Sequence, residues 1–134
     1  DGIEPAFDTP VVTDDTYCTG GNASVTLAIL APDTDEADYD FSWYEGTGTA
    51  GTFRGDLSGV GNFSATNLNA GFYTIVVTAQ ATASEGTGCT DMIVVEVEDN
   101  PDVIKIAANQ IVGTPITDCS PHNGQVVVNN VTLN

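Results

Sequence analysis

Hydrophobic and polar residues alternate along much of this chain with a period of two, the spacing of a strand buried on one face. In Ser24–Leu30, SVTLAIL, that spacing puts Val25, Leu27 and Ile29 on one side. Tyr39–Tyr44, YDFSWY, sets Tyr39, Phe41 and Trp43 against Asp40, Ser42 and Tyr44. Phe72–Ala79 gathers Tyr73, Ile75 and Val77, and Met92–Glu98 turns Ile93, Val95 and Val97 inward with Glu96 and Glu98 toward water. Weaker runs at Ala6–Val12, Gly51–Arg54 and Gly61–Thr66 bring the total to about seven short strands. Turn clusters such as EGTGTAG and SEGTGC separate them, and long helix-forming runs are missing. The pattern predicts an all-β antiparallel sandwich.

The strand pattern also starts twice. TYCTGGNASVTL, Thr16–Leu27, and TDCSPHNGQVVV, Thr117–Val128, align without gaps at an offset of 101 residues (119 − 18 = 101). Cys18 meets Cys119, Asn22 meets Asn123, Val25 meets Val126 and Leu27 meets Val128. The same offset places Ile3 on Ile104, Ala6 on Ala107, Val11 on Val112 and Thr13 on Thr114. A period of this length suits a whole domain rather than a solenoid unit. Residues 1–100 read as one complete module, and 101–134 as a linker and the first strands of another.

Charge narrows the partners. Nineteen acidic residues face only Arg54 and Lys105, a formal net charge of −17. Such a surface repels nucleic acid and anionic membranes, both of which need a basic face. It attracts cations and keeps neighbouring modules soluble and apart. No apolar run approaches the roughly 18 residues that cross a bilayer, so membrane insertion of this segment is not expected.

Three cysteines without C-x-x-C spacing or neighbouring histidines argue against zinc and thioredoxin-like chemistry. Cys18 and Cys89 belong to the complete module, and Cys119 is the second copy of Cys18. The first two either form a disulfide, stabilising the module by about 4 kcal/mol in the chain-entropy model, or remain two buried thiols.

Catalytic constellations are missing from the sequence. His122, the sole histidine, aligns with Gly21 in the other copy and reads as a solvated turn residue. No H-E-x-x-H, G-x-S-x-G or phosphate-loop pattern occurs, so no enzyme is expected. Calcium is the sharper chemical candidate. Asp33, Asp35 and Asp38 lie in DTDEADYD, a stretch of hard oxygen ligands that lacks the EF-hand glycine. Asp99, Asn100 and Asp102 lie in EVEDNPDV, which resembles the acidic inter-domain linker of cadherins. Both stretches also read simply as a solvated acidic loop and a turn ended by Pro101. Trp43 could stack on a sugar, but in mid-strand beside Tyr39 and Phe41 it is expected in the core. Exposed Tyr44, with the Gly46–Gly51 and Asp56–Gly61 loops, is the candidate contact for a carbohydrate or other ligand. LNAGFY, Leu68–Tyr73, has the form of a tyrosine corner.

The segments YCTGGNASVTLAI, YDFSWYEG, NLNAGFYTIVVTA and GCTDMIVVEVED together resemble the repeat of SprB-type adhesins. These are very large surface proteins of gliding bacteria in the Bacteroidetes. Tyr39, Phe41, Trp43, Gly46, Leu68, Gly71, Tyr73, Thr74, Thr78, Gly88 and Cys89 occupy the positions of that pattern. The chain departs from it in the acidic APDTDEADYD, where a short glycine-rich segment is usual, and after Thr78. The resemblance implies an Ig-like fold, export by the type IX system, and cell-surface display as a filament that adheres during gliding. Its implied partners are neighbouring repeats of the same chain and an extracellular surface or polysaccharide. A subunit of a self-assembling fibre is the alternative, with residues 125–133 pairing with a neighbour by strand addition.

Overall fold

The computed structural model describes residues 2–83, 86–117, 120, 121 and 123–133. Cys119 and His122 lie outside the described residues, and so do the readings placed on them. The chain divides into two compact units, residues 1–101 and 102–134, each described by itself.

The first unit is a β-sandwich. Its strands are β1 (Ala6–Phe7), β2 (Val11–Thr13), β3 (Ala23–Thr26), β4 (Ile29–Ala31), β5 (Tyr39–Glu45), β6 (Thr52–Phe53), β7 (Gly59–Val60), β8 (Ser64–Leu68), β9 (Gly71–Ala79) and β10 (Thr90–Val97). One sheet has the order β2-β3-β8 and the other β10-β9-β5-β6, with β7 also on β5. β1 pairs with β4 alone, and all these ladders are antiparallel. The arrangement is Ig-like, with a β2-β3-β8 sheet facing a sheet centred on β9. Among the described residues of this unit, helix is limited to a single 3-10 turn, Glu36–Asp38.

Alternation places the core. Tyr39, Phe41 and Trp43 from β5 meet Ile75 and Val77 from β9 and Val25 from β3, all fully buried. Leu27, Ile29, Leu68, Val95 and Val97 belong to the same buried cluster, and partly buried Ile93 packs against it. Polar Asp40 and Ser42 stay only half-covered between these residues. β3 and β5 therefore each contribute one face to the interior, which fixes their register.

Two predicted strands are divided. Ser24–Leu30 becomes β3 and β4, because the chain leaves β2 and β8 at Leu27 and joins β1 at Ile29. Ala6–Val12 becomes β1 and β2 for the same reason. The inward face survives both breaks, since Val25, Leu27 and Ile29 are all buried. The predicted tyrosine corner is present, with the Tyr73 hydroxyl donating to the Asn69 carbonyl at 3.0 Å.

The second unit has β11 (Ile104–Lys105), β12 (Ile111–Thr114), β13 (Gln125–Val128) and β14 (Thr132–Leu133), paired β11-β14 and β12-β13. Its hairpin repeats the first unit at the same offset. Val11↔Thr26, Val12↔Val25 and Thr13↔Ser24 become Val112↔Val127, Gly113↔Val126 and Thr114↔Gln125. The brace at its turn recurs as well. Asn22 Oδ1 accepts from the Thr16 amide at 2.8 Å, and Asn123 Oδ1 accepts from the Thr117 amide at 2.8 Å. Each asparagine amide donates back to the same threonine's hydroxyl, at 2.8 and 2.6 Å. β11 and β14 pair two residues out of step with the Ala6↔Ala31 register of β1 and β4.

Candidate functional site

Two places in the first unit bring functional groups together. The first is the end of the sandwich around Asp15. Asp15 is buried, yet its carboxylate is well supplied with donors. Oδ1 accepts from the amides of Tyr17 at 3.1 Å and Asn22 at 3.3 Å, and Oδ2 accepts from the amide of Ala70 at 3.2 Å. Its backbone forms a parallel bridge to Asp99: the Asp15 N–H donates to Glu98 at 2.9 Å, and the Asn100 N–H donates to Asp15 at 2.8 Å. One residue thus ties the β2–β3 turn, the β8–β9 turn and the segment leaving β10. Gly21 sits at this join, where a Cβ would fall 2.1 Å from the Leu68 carbonyl oxygen, so a larger residue would push β8 away. The periodicity argument missed Asp15. A usable signal was its position before a polar turn, where aspartate bonds the backbone two residues on.

The second place is the outer face of the larger sheet. Tyr44 lies opposite Thr74 on β9 and Phe53 on β6, and Thr74 lies opposite Val94 on β10. The Tyr44 and Phe53 rings are 5.4 Å apart at 58°, a tilted contact. Phe53, Phe72, Met92 and Val94 are all exposed. The Gly46–Gly51 loop folds back over this face because Thr74 holds it: the Thr74 hydroxyl donates to the Gly46 carbonyl at 2.8 Å and accepts from the Gly48 amide at 2.7 Å. Thr49, Val76, Thr90, Asp91 and Met92 line a groove of about 350 Å³ beside the loop.

Arg54 fixes the edge of that face. It donates to Asp56 through Nε at 2.9 Å and Nη2 at 2.7 Å, and through Nη1 to Glu45. The Asp56 hydrogen bonds raise the Arg54 pKa, and Arg54 in turn holds the Asp56 carboxyl below its ordinary range. Burial raises the Tyr73 and Tyr39 phenols, Tyr73 with a further push from the Glu45 charge.

The other predicted residues are placed as follows. Trp43 is core, its indole N–H donating to the Asn62 carbonyl at 2.9 Å. In the acidic stretch, Asp33 Oδ1 accepts from the Asp35 amide at 3.2 Å and Asp35 Oδ1 caps Ala37 at 3.1 Å, so these carboxylates shape the 3-10 turn. Asp38 lies in that turn, Asp99 and Asn100 in the bridge with Asp15, and Asp102 at the start of the second unit. Among the described residues, no three or more acidic, histidine or cysteine side chains are grouped to hold a metal. Among the described residues, no helix is long and apolar enough to cross a membrane.

The Cys18–Cys89 disulfide is corrected: both are free thiols, Cys18 exposed and Cys89 half-buried. Topology explains it. Cys18 is three residues past Asp15, which pairs beyond the last residue of β10, whereas Cys89 precedes its first. An eight-residue strand is about 27 Å long, and three residues span only about 10 Å, whereas bridged Cα atoms lie within about 7 Å. Cys89 instead packs against Gly2, whose Cβ would meet its Sγ at 2.5 Å. Under non-denaturing conditions, Cys18 is expected to alkylate several-fold faster than Cys89. Mass-spectrometric peptide mapping reads this directly, and a Cys18–Cys89 linked peptide would contradict the fold.

No family model, curated protein or solved structure matches the chain. The chemistry of the site therefore rests on its own residues. It offers an exposed, partly aromatic sheet face and a hydrogen-bonded end.

Proposed function

We propose that the chain is a non-enzymatic module, with the opening of another, from a tandem-repeat adhesin or filament displayed outside the cell. The single observation that carries this is the return of the β2–β3 register in β12–β13 at the offset of 101 residues. Repetition of one fold along a chain supplies reach, and a strongly acidic surface keeps successive copies from aggregating. The resemblance to SprB-type repeats adds export and attachment during gliding. Calcium, if bound, would act at the acidic segments as a stiffener.

The complete coding sequence is expected to hold further copies near this spacing, and an antibody against the chain is expected to label intact cells. A coding sequence without another copy, or labelling only after cells are opened, would refute the reading. The exposed Phe53, Met92 and Val94 around Tyr44 favour the outer sheet face as the adhesive contact for a polysaccharide. Beads carrying the chain should bind a polysaccharide-coated surface, and Phe53→Ser should weaken that binding by several-fold. Equal binding by the variant would move the contact elsewhere.

A further inference from the structure

We propose that the groove beside the Gly46–Gly51 loop binds a sugar unit bearing a protonated amine, with Asp91 as its specificity-determining residue. The groove lies on the sheet face read above as a polysaccharide contact, so the inference rests on that reading and narrows its substrate class.

Three elements line the groove. Val76 comes from β9, Thr90, Asp91 and Met92 from the start of β10, and Thr49 from the loop. Met92 and Val76 lie directly opposite each other in the ladder, which gives the groove an apolar floor. The loop wall is set before any ligand arrives. Fully buried Thr74 holds Gly46 and Gly48, and the Gly51 amide donates to the Gly48 carbonyl at 3.3 Å. A Cβ at Gly51 would fall 2.0 Å from the Glu45 carbonyl oxygen, so the loop closes only with glycine there. A wall already ordered loses little entropy on binding. The volume of about 350 Å³ is at the small end of ligand pockets, with room for a sugar ring rather than a folded partner.

Charge selects the ligand. Asp91 Oδ1 accepts from the Met92 amide at 2.8 Å, and Oδ2 has no protein partner among the described residues. No lysine or arginine lines the groove. Of the two cations in the chain, Arg54 is engaged by Asp56 and Glu45, and Lys105 belongs to the second unit. Glu96, exposed on the same side of β10 as Met92, adds to the negative field. An ammonium group is therefore attracted, and a carboxylated or sulfated sugar is repelled. The Thr49 and Thr90 hydroxyls can donate to and accept from sugar hydroxyls, and the apolar floor suits the C–H face of a ring. A basic peptide shares the charge but fits less well. Strand addition at this end of β10 would need the Met92 amide, which Asp91 already occupies.

The test uses the full 134-residue chain, isotopically labelled, with a glucosamine tetramer and its fully N-acetylated form as probes. In titrations followed by NMR, the amine form should shift the amides of Thr49, Val76 and Met92. It should bind about three- to fivefold more tightly than the N-acetylated form, the worth of an exposed ion pair. Asp91→Asn keeps an acceptor for the Met92 amide and should erase that preference, leaving binding of the N-acetylated form unchanged. Raising salt from about 0.05 M to about 0.5 M should erase it too. A preference unchanged in Asp91→Asn, or shifts confined to residues outside the groove, overturns the proposal. Tetralysine bound in the groove as tightly as the amine sugar also overturns it, because charge alone would then suffice. Equal binding of the two sugars, weakened by Phe53→Ser, would sink the amine preference and leave the polysaccharide contact standing. Binding of neither would remove both, so the two failures are separable.

Discussion

Trp43→Ala is expected to lower the stability of the first unit by about 3–5 kcal/mol, the range for removing a large buried aromatic. Small domains are stable by about 5–15 kcal/mol, so this loss is a large fraction of the total. The indole is completely buried at the centre of β5, opposite Ile75 on β9, and no neighbouring backbone can collapse into the space without breaking a ladder. Its removal also strands the Asn62 carbonyl, which accepts the indole N–H at 2.9 Å. That carbonyl belongs to the turn before β8, so the damage reaches both sheets. Trp43→Phe keeps most of the packing and loses the hydrogen bond, and should cost about 1–2 kcal/mol. Urea denaturation followed by circular dichroism measures both, since the chain has one tryptophan and either variant loses its fluorescence. A Trp43→Ala loss below about 1 kcal/mol would mean the residue is not the centre of the core.

Asp15→Ala should follow, at about 2–3 kcal/mol. Three backbone amides, those of Tyr17, Asn22 and Ala70, lose their acceptor together. They belong to two different turns, so methyl replacement unties the β2–β3 connection from the β8–β9 connection. Hydrogen bonds to an ionised carboxylate are about twice as strong as neutral ones, which places the loss above that of an ordinary turn residue. Asp15→Asn keeps the shape and one carbonyl acceptor, and should lose about half as much. Trp43 fluorescence in urea reports both variants. Equal stability of Asp15→Ala and the parent chain would show that water replaces the carboxylate at no cost.

What was readable in the residues, and what was not, follows from burial. Tyr39, Phe41 and Trp43 declared their face because β5 is buried on one side only, and a period of two survives only there. The same signal is blind to a change of sheet. Val25, Leu27 and Ile29 stay inward while the chain crosses from β3 to β4, so one predicted strand becomes two. β7, two residues long, is too short to show any period. The pairing of Cys18 with Cys89 went wrong because counting cysteines carries no information about which end of β10 each occupies. Asp15 was hidden for a related reason. Its donors come from residues 17, 22 and 70, brought together only by the fold, and its counterpart in the second copy is Ile116.

The parallel bridge between Asp15 and Asp99 has a directional consequence. β2 leads into Asp15 and β10 leads into Asp99 along the same heading, while the chain arrives at one and departs from the other. A pull that separates Gly2 from Pro101 would slide these segments past each other along their length. The bonds from the Asp15 and Asn100 amides would then bear load together as a shear joint, whereas a hairpin pulled at its open end unzips by breaking its bonds in succession.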